Sequence, residues 1–127
     1  MQEQHLFEYA IIRVVPRVER EEFINVGVIL YCKPLRFLKG MFFIDRNKIM
    51  ALSPDLDIEE LEKNLDAFIA ICDGRNTGST ISDLDLPSRF RWLTATRSTV
   101  VQCSKVHPGF CTNAQEELLK IFEQMVL

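Results

Sequence analysis

The sequence predicts an α+β fold: an antiparallel sheet of about four strands with two main helices packed on one face. Three observations predict this fold. The first third of the chain consists of runs rich in β-branched and aromatic residues, joined by short polar connections. Two later segments repeat apolar residues at helical spacing, and each follows a residue type that caps helices. The chain has 127 residues and is 47% apolar and 26% charged, so one domain is expected over residues 1–127.

Four strands are predicted, over residues 6–15, 23–32, 36–44 and 98–104. The first carries apolar residues on both of its alternating faces, which is typical of a central strand. The connections among the first three strands are short, so these strands predict an antiparallel meander. Within the second strand Asn25 and Gly27 are poor strand formers, and Gly40 predicts a bend or a bulge in the third.

The clearest helix is predicted over residues 58–72, where apolar positions recur on one face. Asp57 and Glu60 have the spacing of a capping box, and the acidic residues cluster at the positive end of the helix dipole. Gly74 follows the last turn and predicts the left-handed residue that ends many helices. The acidic cluster therefore has a structural explanation.

Three further helices are predicted from their first residues: one over 46–52 after Asp45, a short one over 89–94 opened by 86–88, and a final one after Asn113. Phe68 and Phe122 are expected in the core. Residues 75–85 and 105–111 contain several turn-forming residues, so both segments are expected to be loops.

The charge balance and the apolar runs exclude several classes of protein. The formal net charge is −3, so no general attraction to nucleic acid or to an anionic membrane is expected. No apolar run approaches the roughly 20 residues that cross a bilayer. The first residues lack the pattern of a secretory signal, so a cytoplasmic protein is expected. Residues 86–115 contain four basic residues and no acid, which predicts a locally positive face.

The four cysteines, at positions 32, 72, 103 and 111, show no C-x-x-C spacing. Cys103, His107 and Cys111 are four residues apart and would align on a helix, but Pro108 and Gly109 break any helix there. We therefore expect no metal site, no cofactor and, in the cytoplasm, no disulfide.

One group of candidate site residues lies on the first two strands. Arg13 interrupts an otherwise apolar strand, and Glu22 and Asn25 lie at the start of the next. If the strands pair as a hairpin, these side chains meet at one end of the sheet. Arg13 could then hold an anionic or carbonyl group with Asn25 as a second hydrogen-bonding partner. Alternatively, Arg13 forms an internal ion pair with Glu22, and Asn25 simply occupies a bulge.

A second group follows later in the chain. Arg97 and Ser98 lie at a helix-to-strand junction, where free amides and hydroxyls can bind an oxyanion. Arg91 and His107 could add charge, and Trp92 could stack on a ring. The alternative is structural, with Trp92 as a core anchor and the arginines extending over it into solvent. No pairing of a nucleophile with a base is evident, and Ser98 with His107 matches no known order.

The sequence resembles DUF3037, a bacterial family of domains of unknown function, in three segments: the strand Tyr9-Ala-Ile-Ile-Arg13, the strand Glu22-Phe-Ile-Asn-Val-Gly-Val28, and the segment from Arg91-Trp92-Leu93 through Ser98 to His107. The resemblance covers nearly the whole chain. Members of this family stand beside genes for kinase-like proteins of the HipA type, so the resemblance implies an accessory role. It implies no catalytic residue, because the family has none assigned.

Two functional hypotheses follow. The first is a non-enzymatic binding or accessory protein that acts through a protein partner, with a HipA-like kinase as the partner that the resemblance implies. The alternative is a phosphate- or nucleotide-binding protein, or a hydrolase, that uses Arg91, Arg97, Ser98 and His107. The candidate anion-binding residues are Arg13, Asn25, Arg91, Arg97, Ser98 and His107. A cleft shared by these side chains would indicate a ligand site, whereas scattered side chains would favour the structural alternatives.

Overall fold

A computed structural model gives the fold and describes residues 3–75, 80–95, 97 and 99–127. These residues form an α+β fold with five strands and four helices. The fold class is the one that the sequence predicts. The strands are β1 (His5–Val14), β2 (Ile24–Cys32), β3 (Phe37–Phe42), β4 (Val101–Cys103) and β5 (His107–Cys111). The helices are α1 (Arg46–Leu52), α2 (Ile58–Cys72), α3 (Leu86–Thr94) and α4 (Ala114–Met125).

The strands form one antiparallel sheet with β1 at its centre, as predicted. β3 pairs with β2, and β2 pairs with one edge of β1. The other edge of β1 is shared, because β5 pairs with its first half and β4 with its second half. The predicted meander of the first three strands is therefore confirmed, and the last two strands close the free edge of β1.

The pairing of β1 with β2 contains a bulge near its end. Ile12 lies opposite Gly27, but Arg13 lies opposite Asn25, which leaves Val26 without a partner on β1. The extra residue adds local twist and resets the register. It places Arg13 and Asn25 side by side on one face of the sheet, since directly opposed residues of antiparallel strands point the same way.

The sheet is covered on both faces, which differs from the expected placement of both main helices on one face. Ile12 and Val14 point to a core that includes Leu65 of α2 and Phe90 of α3. Alternate residues of β1 point to a second core that is closed by Leu118 and other residues of α4. Apolar residues on both sides of β1 and β2 require this arrangement, because one covered face would leave the other set in water.

The helices begin where their capping residues predict. Asp45, Asp57 and Asn113 each accept a hydrogen bond from the backbone N–H three residues on, at 3.2, 3.1 and 3.0 Å. Asp85 does the same for α3, which begins at Leu86, the first of the residues 86–88 that are predicted to open this helix. Gly74 has a φ of 69° after α2, as predicted. No helix in the described ranges is long and apolar enough to span a membrane.

Two loop predictions have different outcomes. In the segment 75–85, residues 76–79 lie outside the described ranges, and Thr80–Asp83 form a short 3-10 turn. The segment 105–111 was expected to be a loop and instead contains β5, so that prediction is wrong. Pro108 is tolerated because β5 pairs only with β1 and is an edge strand. A Cβ atom on Gly109 would lie 2.6 Å from the ring of Phe7, so this glycine makes room for an aromatic ring rather than a turn.

Gly40 also has a spatial role and lies in regular register opposite Ile29, where the sequence predicts a bend or bulge. A Cβ atom at position 40 would lie 2.9 Å from the Cδ1 atom of Ile69 in α2. The glycine lets α2 pack closely onto β3.

Ser104 lies between β4 and β5 and continues the hydrogen bonding of β1 where neither strand pairs with it. Its backbone N–H donates to the carbonyl of Ile11, and its Oγ accepts from the N–H of Ile11, both at 2.8 Å. Ser104 is buried. Its hydroxyl therefore takes the place of a strand carbonyl for a buried amide of the central strand.

Ser104→Ala is expected to lower the free energy of unfolding by about 2 kcal/mol, because the N–H of Ile11 would stay buried without an acceptor. Urea unfolding measures the loss, and amide exchange at Ile11 should quicken. Ser53→Ala is the matched control, since Ser53 lies in a loop and its hydroxyl makes no hydrogen bond among the described residues; it should change stability by less than about 0.5 kcal/mol. Equal losses in the two variants would contradict this role.

Candidate functional site

Arg13 and Asn25 lie together at one end of the sheet, as the hairpin interpretation predicts. They are directly opposed on β1 and β2, and Gln102 of β4 lies on the other side of Arg13. The guanidinium of Arg13 lies over the ring of Phe23, 4.0 Å from its centroid. This stacking holds the charged group against an aromatic face near solvent.

The polar atoms of this pair are not fully satisfied within the described chain. Asn25 donates from Nδ2 to the carbonyl of Met125, at the end of α4, at 3.1 Å. Its Oδ1 is buried and has no hydrogen-bond partner, and the same holds for Nε of Arg13. The alternative ion pair of Arg13 with Glu22 is not formed, because Glu22 is hydrogen-bonded to Arg20.

Arg91 has a partner of its own. Its guanidinium reaches from α3 to the carboxylate of Glu8 on β1, with contacts of 2.8 and 3.0 Å. The side chain is 57% exposed, so the pair contributes at most about 1 kcal/mol to stability. The two residues border a groove of about 370 Å³ that Leu6, Tyr31 and other residues line. Arg91 is therefore held by an ion pair and does not lie over Trp92, where the structural alternative placed it.

Arg97 lies elsewhere, in contact with Trp92. Its guanidinium stacks on the indole at 4.0 Å from the ring centroid and donates to the Trp92 carbonyl. Trp92 is 39% exposed, so it is not the core anchor of the structural interpretation. The two residues border a second groove of about 370 Å³ between α2, α3 and β4, which is lined mainly by apolar side chains such as Phe68, Leu93 and Val101. Ser98, the other residue predicted here, lies outside the described residues.

His107 is exposed on β5, opposite Tyr9, and its ring centroid is 5.4 Å from that of Tyr9. Tyr9 and Arg13 point to the same face of β1, but four residues of strand separate them by about 13 Å. Arg91, by contrast, pairs with Glu8, which points to the opposite face. The described candidates therefore lie in separate places, and only Arg13 and Asn25 are neighbours.

The thiols do not provide a reactive nucleophile near these residues. Burial raises the pKa of Cys103, beside Arg97, to about 12, and it raises the pKa of Cys72 well above its ordinary value. Both thiols are therefore protonated at neutral pH. All four cysteines are free.

The structure adds three apolar neighbours to the Arg13–Asn25 pair that the sequence did not single out. Phe23 is 46% exposed, Phe43 50% and Met125 44%. Phe43 and Asn25 line a common cavity of about 240 Å³, and Met125 contacts Asn25 through its carbonyl. We call these five residues, Arg13, Phe23, Asn25, Phe43 and Met125, the Arg13 surface. Phe23, which directly precedes β2, lies two residues from Asn25 in sequence, but only the fold brings Phe43 and Met125 to them.

Residues 9–126 match the model of a family described as "Protein of unknown function (DUF3037)", which is nearly the whole chain. The chain matches no curated protein and no solved structure.

Proposed function

Since the chain belongs to the DUF3037 family, whose description assigns no function, we propose one from the geometry: a non-enzymatic binding domain that acts through a protein partner. The Arg13 surface is the docking site in this proposal. It combines exposed aromatic rings with Arg13, whose guanidinium has no hydrogen-bond or ion-pair partner among the described residues. Aromatic residues and arginine are the side chains that contribute most to protein interfaces.

The observation that carries the proposal is the pair of exposed phenylalanines that the fold brings to Arg13 and Asn25 at one end of the sheet. Phe23 lies under Arg13, Arg13 lies beside Asn25, and Asn25 lines one cavity with Phe43. Arg13 has no hydrogen bond or ion pair among the described residues, and its Nε is buried. An arginine between aromatic side chains has the composition of an interface centre, and each phenylalanine could fill a pocket of the partner.

A second exposed apolar pair provides a contrast. Leu6 and Phe110 are opposed on β1 and β5, and Phe110 is 65% exposed. Arg91, which lines the same groove as Leu6, is already held by Glu8. This pair has the exposure of the Arg13 surface without its unpaired polar atoms, so it makes a matched control.

The family resemblance suggests which partner to test first, namely the kinase-like protein of the HipA type whose gene stands beside those of relatives. A cytoplasmic location is part of the same proposal, and the four free thiols suit a reducing compartment. The proposal requires no cofactor.

Phe23→Ser with Phe43→Ser is expected to weaken binding to the co-expressed neighbouring protein at least tenfold, because both anchors lose their buried area in the complex. Titration calorimetry on the purified pair measures the affinity. Phe110→Ser changes an even more exposed aromatic residue at the other end of the sheet and should leave the affinity within about twofold. The proposal fails if no stable complex forms, or if Phe110→Ser weakens binding and the double variant does not.

Phosphate or nucleotide binding remains the second candidate, and the observation that favours it is Arg97 stacked on Trp92 beside an apolar groove. A ligand that binds the folded state raises the melting temperature. A shift with nucleotides that disappears in Arg97→Ala would support this candidate, and a shift with none of them would exclude it.

A further inference from the structure

Arg13 combines a buried Nε with the absence of any hydrogen bond or ion pair among the described residues. A guanidinium carries five N–H donors and has no acceptor atom. Among the described residues, Arg13 makes no hydrogen bond and no ion pair, and its Nε is buried. Its guanidinium stacks on the ring of Phe23, which satisfies none of the donors by a conventional hydrogen bond. Burying unsatisfied donors costs free energy, so this arrangement calls for an acceptor from outside the described chain.

Asn25 supplies the complementary group. Its Nδ2 donates to the carbonyl of Met125, and this bond sets the orientation of the amide, because the flipped amide would bring two oxygens together. Oδ1 is then left as a buried acceptor without a donor. Donors from Arg13 and an acceptor from Asn25 therefore lie side by side, on directly opposed residues.

The polar groups nearest to Arg13 leave its donors free, and the adjoining cavity of Asn25 and Phe43 carries one charge of each sign, on Asp45 and Lys48. Glu22, the acidic residue nearest to Phe23 in sequence, is engaged by Arg20. Gln102, on the other side of Arg13, donates its amide to the carbonyl of Thr99 at 2.7 Å. A negatively charged group that approaches Phe23 thus meets an arginine with free donors.

We propose that the Arg13 surface recognises an acidic residue in an extended segment of a protein partner. The carboxylate of that residue accepts two N–H groups of Arg13, in the fork geometry that suits guanidinium and carboxylate. Asn25, directly opposed to Arg13 and held by its bond to the Met125 carbonyl, borders the bound carboxylate. Phe23 and Phe43 flank the carboxylate with apolar surface. This inference rests on the proposed function for its choice of a protein as the source of the carboxylate.

The test uses fragments, so that it does not depend on having the partner. The 15N-labelled chain is titrated with N-acetyl-glutamate N-methylamide, with the neutral glutamine analogue, and with inorganic phosphate, while NMR follows the side-chain signals of Arg13 and Asn25. The acidic fragment should shift both signals in a saturable way, and the glutamine analogue should bind at least fivefold more weakly. Phosphate should shift the Arg13 signal less than the acidic fragment at equal concentration.

Arg13→Lys keeps the charge and loses the fork, so it should weaken binding of the acidic fragment at least fivefold. Arg91→Lys, on the opposite face, should leave it unchanged. Equal binding of the two amide fragments, a stronger response to phosphate, or unchanged binding by Arg13→Lys would each overturn the inference. The comparison of fragments uses the natural chain, so it holds even if Arg13→Lys folds poorly. Fragment binding without any protein complex would refute the proposed function alone.

Discussion

Gly27→Ala is expected to lower the free energy of unfolding by about 3 kcal/mol, enough to unfold a marginal domain. A Cβ atom at this position would lie 2.4 Å from the carbonyl oxygen of Met41 and 3.0 Å from the Cβ atom of Phe42. Both belong to β3, and a backbone oxygen in a sheet cannot rotate away as a side chain can. The two strands would have to separate, at the bulge that sets the position of Asn25.

Gly40→Ala is the matched control, because it adds the same methyl group to the neighbouring strand. Its nearest contacts are the Cδ1 atom of Ile69 at 2.9 Å and the Sγ atom of Cys72 at 3.2 Å, both at the ends of side chains. Side chains can adjust, so the loss should be about 1 kcal/mol. Urea unfolding followed by circular dichroism measures both variants. A loss for Gly27→Ala no larger than that for Gly40→Ala would show that β2 and β3 are not in such close contact.

Phe90→Ala is expected to cost about 4 kcal/mol, the largest effect of any single truncation considered. Phe90 is fully buried in the core between α3 and the sheet, and its ring centroid lies 5.3 Å from that of Tyr31. Removing the ring leaves a cavity beneath α3. The same helix carries Arg91 and Trp92, so their surfaces should become more mobile.

Trp92→Ala provides the comparison for this variant, since it removes a larger ring from the same helix but from a half-exposed position. It should cost less than about 1.5 kcal/mol. The midpoints of chemical unfolding of the two variants give the difference. If Trp92→Ala proves the more damaging of the two, the assignment of Phe90 to the core and of Trp92 to the surface is incorrect.

Local chemistry made the helices of this chain predictable. The caps at Asp45, Asp57 and Asn113 depend on residues three positions apart, and Gly74 acts through its own backbone angle. Such interactions lie within one turn of helix, so the sequence displays them directly. The same holds for the first two strands, whose β-branched runs have no competing helical period.

The arrangement of these elements depended on contacts between distant residues and was less predictable. The apolar stripe of an amphipathic helix indicates that the helix covers apolar surface, but not which face of the sheet it covers. The sequence therefore predicts α2 and α4 on one face, whereas the structure has them on opposite faces. β5 was missed because Pro108 and Gly109 are typical of turns. Here an edge position tolerates the proline, and the ring of Phe7 occupies the space beside the glycine.

The candidate site was also predictable only where its residues are placed by local pairing. Arg13 and Asn25 were found because a hairpin with short connections leaves few registers, and polar residues within apolar strands are conspicuous. Arg91, Arg97 and His107 come from a part of the sequence that folds onto different surfaces, so their closeness along the chain did not predict closeness in space. Phe43 and Met125 join Arg13 through β3 and α4, which no local pattern could show.

Photo-crosslinking from position 43 tests the docking surface most directly. A photoreactive phenylalanine analogue replaces Phe43 in one preparation and Phe110 in another, and each is irradiated in cells that contain the natural partners. We expect one dominant protein adduct from position 43, and we expect Arg13→Lys to weaken it. Position 110 should give only background labelling. Equal labelling from the two positions, or an adduct from position 110 alone, would contradict it.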